Sequence, residues 1–410
     1  MANLPSIKYK TERNDKMKLE IVIIGGAGHV GLPLALTFAS KGKKVGIYDI
    51  NGETLDSIKH GKMPFVEEGA GKILKKVINK NLFVHNNLNI IRQAKVVIVV
   101  IGTPVDEHLN PKFAEIKKFF LEYIQYFRSG QTIILRSTVY PGTTDKVAEL
   151  LKEKRVKVNL CFCPERIAEG KAIKEIFELP QIISGATKKA EKEAIKLFRP
   201  ICKDIIVLSP LAAELAKLFT NVYRYIHFSI ANQFYMIAND YGFNFYEIYK
   251  AMTYNYPRAK SLPSPGFTAG PCLFKDTMQL AAFNNYNFYL GHTAMLINEG
   301  LPNYLVLSLK KKYDLSKKKV GILGMAFKAN CDDKRESLSY KLKKICEMEC
   351  NKVYCSDVYI KEQGFMGPNE LIRKSDLVII GAPHKEYKKL KIPRKKLVDI
   401  WNFYKKGAIR

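Results

Sequence analysis

A chain of 410 residues exceeds what one hydrophobic core usually supports, so two or three domains of roughly 100–200 residues are expected. Apolar residues make up 47% of it and run along its whole length, which excludes global disorder, and the longest apolar stretch, residues 96–101, is far short of the ~18 residues needed to span a bilayer. The formal charge of +28 favours anionic ligands, but the lysines (Lys75, Lys76, Lys117, Lys118, Lys188, Lys189, Lys310–Lys312, Lys317–Lys319) are scattered, often near acids, without the basic-aromatic pattern of a nucleic-acid module. Neither a nucleic acid nor a membrane is expected as partner.

Residues 1–17 are polar and lack the apolar core of a secretory signal, so they are left out of the fold and a cytoplasmic location is expected. Residues 19–24 (LEIVII) then read as a buried strand running into Gly26-x-Gly28-x-x-Gly31, with a helix from 32 to 40 and a second strand, 44–49, ending at Asp49. Gly26 is expected to permit the tight turn, Gly28 to let backbone approach a pyrophosphate, and Gly31 to allow helix and strand to pack closely. The amides at the helix start face the phosphates. Pro33 falls early in this helix and reads as lying beyond its first turn. Asp49 suits a ribose bearing two free hydroxyls and repels a 2′-phosphate, so the unit points to NAD and an NAD-dependent oxidoreductase.

Further β-branched runs follow at 96–101, 132–136, 158–163, 181–184 and 205–208, separated by helical segments, as in an α/β parallel sheet with helical crossovers. From 211 to 309 the spacing of apolar residues turns helical, interrupted by the Pro/Ser/Gly-rich loop 261–271. Strand-like runs return at 319–323, 352–355, 376–380 and 397–400. Three domains follow: 18–210, 211–309 and 318–410. That both ends are α/β is compatible with two related halves.

Several chemical groups fall at the edges of these elements. Thr103 and Pro104, Ser137 and Thr138, and the carboxylates Glu165 and Glu169 all follow strands, where open parallel sheets bind ligands. Lys217 and Asn221 are four residues apart on a helix and therefore share a face, a pair able to stabilise an oxyanion. Cys272 ends the 261–271 loop at a helix start, where amides are expected to favour its thiolate, and Asp276 lies one turn on. The other cysteines (161, 163, 202, 331, 346, 350 and 355) form no CxxC pair, so free thiols and no metal site are expected.

The strings GAGHVG, IGTPVD, STVYPGTT, CPERIAEG, AKLFTN, GPCLFKD, GMAFKANCDDKRES and SDLVIIGAPH together resemble the UDP-glucose/GDP-mannose dehydrogenase family over about residues 18–405. The resemblance implies two Rossmann-like parallel-sheet domains joined by a central helical domain that dimerises, and NAD-dependent four-electron oxidation of a nucleotide sugar's 6-hydroxyl to a carboxylate for polysaccharide biosynthesis. Cys272 matches the thiol that captures the aldehyde as a thiohemiacetal and then carries a thioester. Glu165 matches the carboxylate assisting hydrolysis, Lys217 and Asn221 the oxyanion stabilisers, Asp276 the residue ordering water and Lys217, and Thr138 a companion in that water network. Gly26, Gly28, His29, Val30, Gly31, Asp49, Thr103, Ser137, Glu169 and Arg335 fall on NAD positions. Arg258 and Lys328 fall on substrate positions, together with Glu165, Lys217 and Asn221. Within the family, APHKEY around His384 and the GLP after the glycine turn lean towards N-acetylhexosamine substrates, whereas CLFKD leans towards glucose. FTAGPC replaces a common GGxC ending, and His29 replaces a common tyrosine.

Two other readings remain open at this point. A β-hydroxyacid dehydrogenase also pairs a Rossmann domain with a helical lysine and asparagine, but it needs neither a thiol nor the third domain. A non-catalytic nucleotide- or nucleic-acid-binding protein would have no use for Cys272, Lys217, Asn221, Glu165 and Asp276 together.

Overall fold

The computed structural model describes residues 18–103, 106, 113–268 and 270–405; residues 1–17 and Pro104 fall outside them. Eight strands form the first sheet: β1 (Ile21–Ile24), β2 (Val45–Tyr48), β3 (Leu82–His85), β4 (Val96–Val99), β5 (Thr132–Leu135), β6 (Asn159–Phe162), β7 (Gln181–Gly185) and β8 (Ile205–Val207). Their order is β3-β2-β1-β4-β5-β6-β7-β8, so the first six follow the 3-2-1-4-5-6 order of dinucleotide-binding sheets. Flanking helices are α1 (Gly31–Ser40), α2 (Gly52–Lys59), α3 (Ala70–Val77), α4 (Phe113–Tyr123), α5 (Thr143–Glu153), α6 (Ala172–Glu178) and α7 (Lys188–Phe198).

β1 explains why this sheet is covered on both sides. Ile21 and Ile23 pack into a core with Leu32, Leu36 and Phe38, while Val22 and Ile24 pack into a separate core with Val97, Phe120 and Ile133. Successive side chains of a strand point to opposite faces, so an unbroken apolar run needs two cores.

Two features depart from expectation. β3 has no counterpart among the predicted strands, because only Leu82 of its four residues is buried and an edge strand needs no strong apolar pattern. β7 runs antiparallel to β6, with Phe162 opposite Ser184, whereas a wholly parallel sheet is expected from the alternation of strands and helices. The chain leaving β6 does not cross back over the sheet. The Gln181 side chain, at the start of β7, donates to Pro164 O at 3.2 Å, so β7 begins where β6 ends.

The middle of the chain is helical: α8 (Pro210–Asp240), α9 (Phe245–Thr253), α10 (Leu273–Phe283) and α11 (Tyr289–Lys310). At 31 residues α8 is roughly 46 Å long. Buried Glu214 fastens it to the first sheet by capping α5, accepting from Gly142 N–H at 2.6 Å and from Thr144 N–H and Oγ1 at 2.8 and 2.6 Å. The second sheet is parallel, in the order β10 (Lys352–Ser356), β9 (Lys319–Leu323), β11 (Leu377–Ile380) and β12 (Leu397–Val398), with α12 (Leu338–Glu349) and α13 (Pro368–Lys374). Its core is continuous with the helices, because Tyr235, Phe245, Leu301 and Leu305 pack in one cluster with Val320, Ile322, Leu342 and Ile379.

The turn after β1 is the most constrained point of the first sheet. Gly25 has φ +75°, and a Cβ there would sit 1.7 Å from Val100 O, a backbone atom that cannot yield. Gly25→Ala is expected to cost roughly 3 kcal/mol or more, read as a lower unfolding midpoint in urea; an unchanged midpoint would show that the turn relaxes.

Candidate active site

The glycine turn is tied to the end of β2. Ala27 N–H donates to Asp49 Oδ2 and Asn51 N–H to Asp49 Oδ1, both at 3.1 Å. α1 begins behind Val30 with no side-chain cap and no acid in its first turn, so its free amides and positive end suit an anion. A Cβ on Gly28 would meet nothing nearer than Gly25 O at 3.8 Å. No protein contact demands glycine there, and bare backbone at that point suits a closely approaching ligand. Gly31 is different, because its Cβ would lie 2.2 Å from Gly25 O. The left-handed residue is Gly25 rather than Gly26, so the tight-turn role assigned to Gly26 passes to its neighbour, while Gly26 itself is held by close approach to Ile47. Pro33 is the third residue of α1 and so lies inside the first turn, not beyond it, where a missing N–H breaks no helical bond. These residues, with Val99, Ile101, Thr103, Leu135 and Ser137 lining the crevice at the ends of β4 and β5, suit a dinucleotide.

The loops after β4 and β5 are joined by side chains. Ser137 Oγ donates to Ile101 O at 2.7 Å and accepts from Ile101 N–H at 2.9 Å, and Thr103 Oγ1 donates to Thr138 O at 2.6 Å. Lys275 Nζ donates to Thr103 Oγ1 at 3.1 Å, which brings α10 to the same place. Cys272 is the residue before α10, and Asp276, one turn on, is fully buried. Asn221 on α8 donates its Nδ2 to Asp276 Oδ2 at 2.6 Å. One turn before it, Lys217 is only 8% exposed. Burial pushes the Lys217 ammonium below the ordinary 10.5, and the nearby charges of Asp276, Cys272 and Glu165 only partly oppose this.

The Cys272 thiol opens partly to solvent but is otherwise walled in by protein. That burial, and after it the Asp276 carboxylate, raises its pKa above the ordinary 9.0, against the pull of Lys275 and Lys217. Burial thus works against the thiolate expected from the helix start. Alkylation by iodoacetamide, taken as the difference between wild type and Cys272→Ala, should rise with pH to a midpoint above 9.0. A midpoint below about 8.5 would show that the cations and amides prevail.

Glu165 is held at both oxygens. Oε1 accepts from Arg166 N–H at 2.7 Å and Ile167 N–H at 3.0 Å, and Oε2 meets the guanidinium of Arg136. Arg136 is 1% exposed and also donates to Cys163 O and Gln181 Oε1, each at 3.0 Å. Sequence reasoning passes over Arg136; its signal was a cation ending the buried run TIILR. Lys275 is passed over as well, inside the quoted GPCLFKD string.

Glu169 lies where the loop 327–337 crosses to the glycine turn. Lys328 Nζ donates to Glu169 O at 2.6 Å, and Arg335 Nη2 lies 3.4 Å from Glu169 Oε1 and 2.6 Å from Asp333 Oδ2. Burial first, then the Asp333 charge, pushes the Glu169 carboxyl up to about 7. His29 sits in the same group, with its ring 4.0 Å from that of Phe65, and burial lowers its pKa. Arg258 does not join it. It is exposed, donates to Tyr256 Oη at 2.8 Å, and makes no described contact with the Cys272 group.

Domain models of one family match in chain order: the NAD binding domain of the UDP-glucose/GDP-mannose dehydrogenase family over residues 19–202, its central domain over 211–299 and its UDP binding domain over 321–406. A UDP-N-acetyl-D-mannosamine dehydrogenase of Methanocaldococcus jannaschii is 31% identical over 92% of this chain and 88% of its own. The chain belongs to the UDP-glucose/GDP-mannose dehydrogenase family. A second UDP-N-acetyl-D-mannosamine dehydrogenase, from Pyrococcus horikoshii, is 30% identical over 90% of each chain. The solved structure of a UDP-D-ManNAc dehydrogenase from P. horikoshii matches with a TM-score of 0.88 at 28% identity, covering 95% of this chain and 97% of the other. That of a UDP-N-acetyl-mannosamine dehydrogenase from Staphylococcus aureus gives 0.83 at 26%, covering 94% and 95%.

The protein is thus an NAD-dependent nucleotide-sugar dehydrogenase. The UDP binding domain match over 321–406 removes the β-hydroxyacid dehydrogenase reading, which has no counterpart for it. No helix among the described residues of this dehydrogenase is long and apolar enough to cross a membrane.

Proposed function

We propose that this dehydrogenase oxidises C6 of UDP-N-acetyl-D-mannosamine from alcohol to carboxylate in the cytoplasm, for use in polysaccharide. The observation that carries the mechanism is the meeting of Cys272, Lys217, Asn221 and Asp276 beside the Thr103 loop. The names of the relatives supply the sugar. NAD, when bound, accepts one hydride in each of two steps.

The chain's own groups do the rest. The amides of Gly28, His29, Val30 and Gly31 would hold the pyrophosphate, Gly26 keeps the turn close, Asp49 would take the ribose hydroxyls, and Thr103, Ser137, Glu169 and Arg335 would line the remaining dinucleotide path. Lys328 holds the nucleotide sugar. Lys217 and the second Nδ2 hydrogen of Asn221 stabilise the oxygen on C6 as its proton departs. The Cys272 sulfur then adds to the aldehyde carbon and its proton passes to the former carbonyl oxygen, giving the thiohemiacetal hydroxyl, which loses that proton as the carbon gives up its second hydride. After the second oxidation that carbon is held as a thioester. Water attacks it, ordered by Asp276 and Thr138 and assisted by Glu165, and the sulfur departs with a proton restored. One oxygen of the carboxylate comes from water. Residues 18–210, 211–309 and 318–410 serve as the NAD-binding, central and nucleotide-sugar-binding domains.

Two copies pair through α8. Phe219, Tyr223, Ile230, Phe234 and Ile237 are exposed on it at helical spacing, more contiguous apolar surface than a lone helix keeps in water.

Purified enzyme given UDP-N-acetyl-D-mannosamine should form two NADH per acid, and turn it over faster than UDP-glucose. One NADH per product would refute the four-electron reaction, and preference for UDP-glucose would refute the sugar.

A further inference from the structure

The two sheets repeat one design. In the first, Gly25 N–H donates to Tyr48 O at 2.9 Å, Ala27 N–H to Asp49 Oδ2 at 3.1 Å and Val100 N–H to Ile24 O at 2.8 Å, and Thr103 follows three residues after Val100. In the second, Gly324 N–H donates to Ser356 O at 2.9 Å, Ala326 N–H to Asp357 Oδ2 at 3.1 Å and Gly381 N–H to Leu323 O at 2.8 Å, and His384 follows three residues after Gly381. Asp357 therefore corresponds to Asp49, and His384 corresponds to Thr103.

The copies then diverge. Residues 28–30 are all that separate Ala27 from α1, whereas 327–337 separate Ala326 from α12. The longer loop reaches the first sheet, where Lys328 and Arg335 meet Glu169 and Asp332 Oδ2 accepts from Val66 N–H at 3.1 Å. The Asp357 and His384 side chains are 0% exposed. Asp357 accepts from the N–H groups of Met325, Ala326, Tyr359 and Ile360. His384 Nε2 lies 3.1 Å from Asp357 Oδ2, and its Nδ1 lies 2.9 Å from Asn330 N. Because Asn330 N–H can only donate, Nδ1 accepts and Nε2 carries the proton, so the ring is neutral. Lys385 N–H donates to Asn330 Oδ1 at 2.9 Å, holding Asn330 at φ +57°, a conformation uncommon outside glycine.

We propose that His384 is a positioning residue: it fills, in the second copy of the design, the place that faces a dinucleotide in the first, and anchors the loop 327–337 so that Lys328 and Arg335 stand against Glu169. The ring closes the second copy to a dinucleotide and turns that site into the root of the loop. The inference rests on the proposed function in taking Asp49 and Thr103 as groups that face the dinucleotide and Lys328 as a group that holds the nucleotide sugar.

The two ring nitrogens can be separated with the full-length enzyme. His384→Gln places a donor near the Nε2 position, facing Asp357, but offers Asn330 N–H no acceptor. His384→Asn places an acceptor near Nδ1 and does not reach Asp357. The Gln variant should raise the KM for UDP-N-acetyl-D-mannosamine and the Kd of UDP about tenfold with kcat unchanged, and the Asn variant should recover most of that loss. A wild-type KM and Kd in the Gln variant, or a loss confined to kcat, overturns the anchor. If the wild type does not oxidise this sugar, the functional reading fails while the UDP titration still judges the anchor. Amide exchange of the wild type needs no variant to fold: the Asn330 amide should exchange as slowly as those of β9, and exchange as fast as that of exposed Lys334 overturns the proposal.

Discussion

Cys272→Ala is expected to abolish acid formation, by on the order of 10⁴-fold or more, the scale of losing a covalent nucleophile. The reason lies in the second oxidation. An aldehyde carbon has a hydrogen to give as hydride, but its departure leaves an acylium-like centre unless a heteroatom is already attached, and Cys272 at the head of α10 supplies the sulfur. The variant keeps Lys217, Asn221 and Asp276 in place, so it retains the groups for the first step and should release at most one NADH per sugar. The check is a product assay by mass alongside NADH absorbance. Uronic acid formed at the wild-type rate would show that hydration of the aldehyde, not the thiol, carries the second step.

Lys217→Met should lower kcat by about 10²- to 10³-fold, the cost of removing one preorganised donor from an oxyanion site, with little change in KM. Methionine keeps the length and apolar stem of the side chain in its buried setting, so the loss reports the charge. The pH dependence has a definite sign. Lys217 loses its proton below the ordinary 10.5 because burial disfavours the ammonium, so kcat should fall on the alkaline side earlier than for an exposed lysine. Cys272 gains its negative charge only above 9.0, so thiolate-dependent steps rise on the acid side of the same range. The alkaline fall in kcat should be present in the wild type, and Lys217→Met should lose this descending limb. A variant with wild-type kcat, or with the limb intact, would remove Lys217 from the reaction.

The two cations near Cys272 act differently. Lys275 is bound to Thr103 and lies 3.4 Å from Asp276 Oδ1, which fastens α10 to the loop after β4. No hydrogen bond of this kind holds Lys217 among the described contacts, and its position between Cys272, Asp276 and Glu165 suits it to an oxygen brought by substrate.

The glycine turn, Asp49, the covered parallel strands, the long helix and the thiol loop were all legible in the sequence, because each depends on short-range chemistry: φ, strand and helix periodicity, or a residue type at a strand end. β3 was not, since an edge strand is half exposed and has no strong pattern to display. The reversal of β7 was not, since strand direction depends on where the intervening chain packs. Arg136 and Lys275 escaped notice because what distinguishes them is a partner far away in the chain: Glu165, 29 residues on, for one, and Thr103, 172 residues back, for the other. A dinucleotide turn, a helical lysine and asparagine, and a thiol in one chain could all be read from residue order alone. The tertiary structure added that Gly25 makes the turn, that burial raises the pKa of Cys272, and that His384 meets both Asp357 and Asn330. These outcomes depend on burial and on contacts between distant segments, which local propensity does not encode.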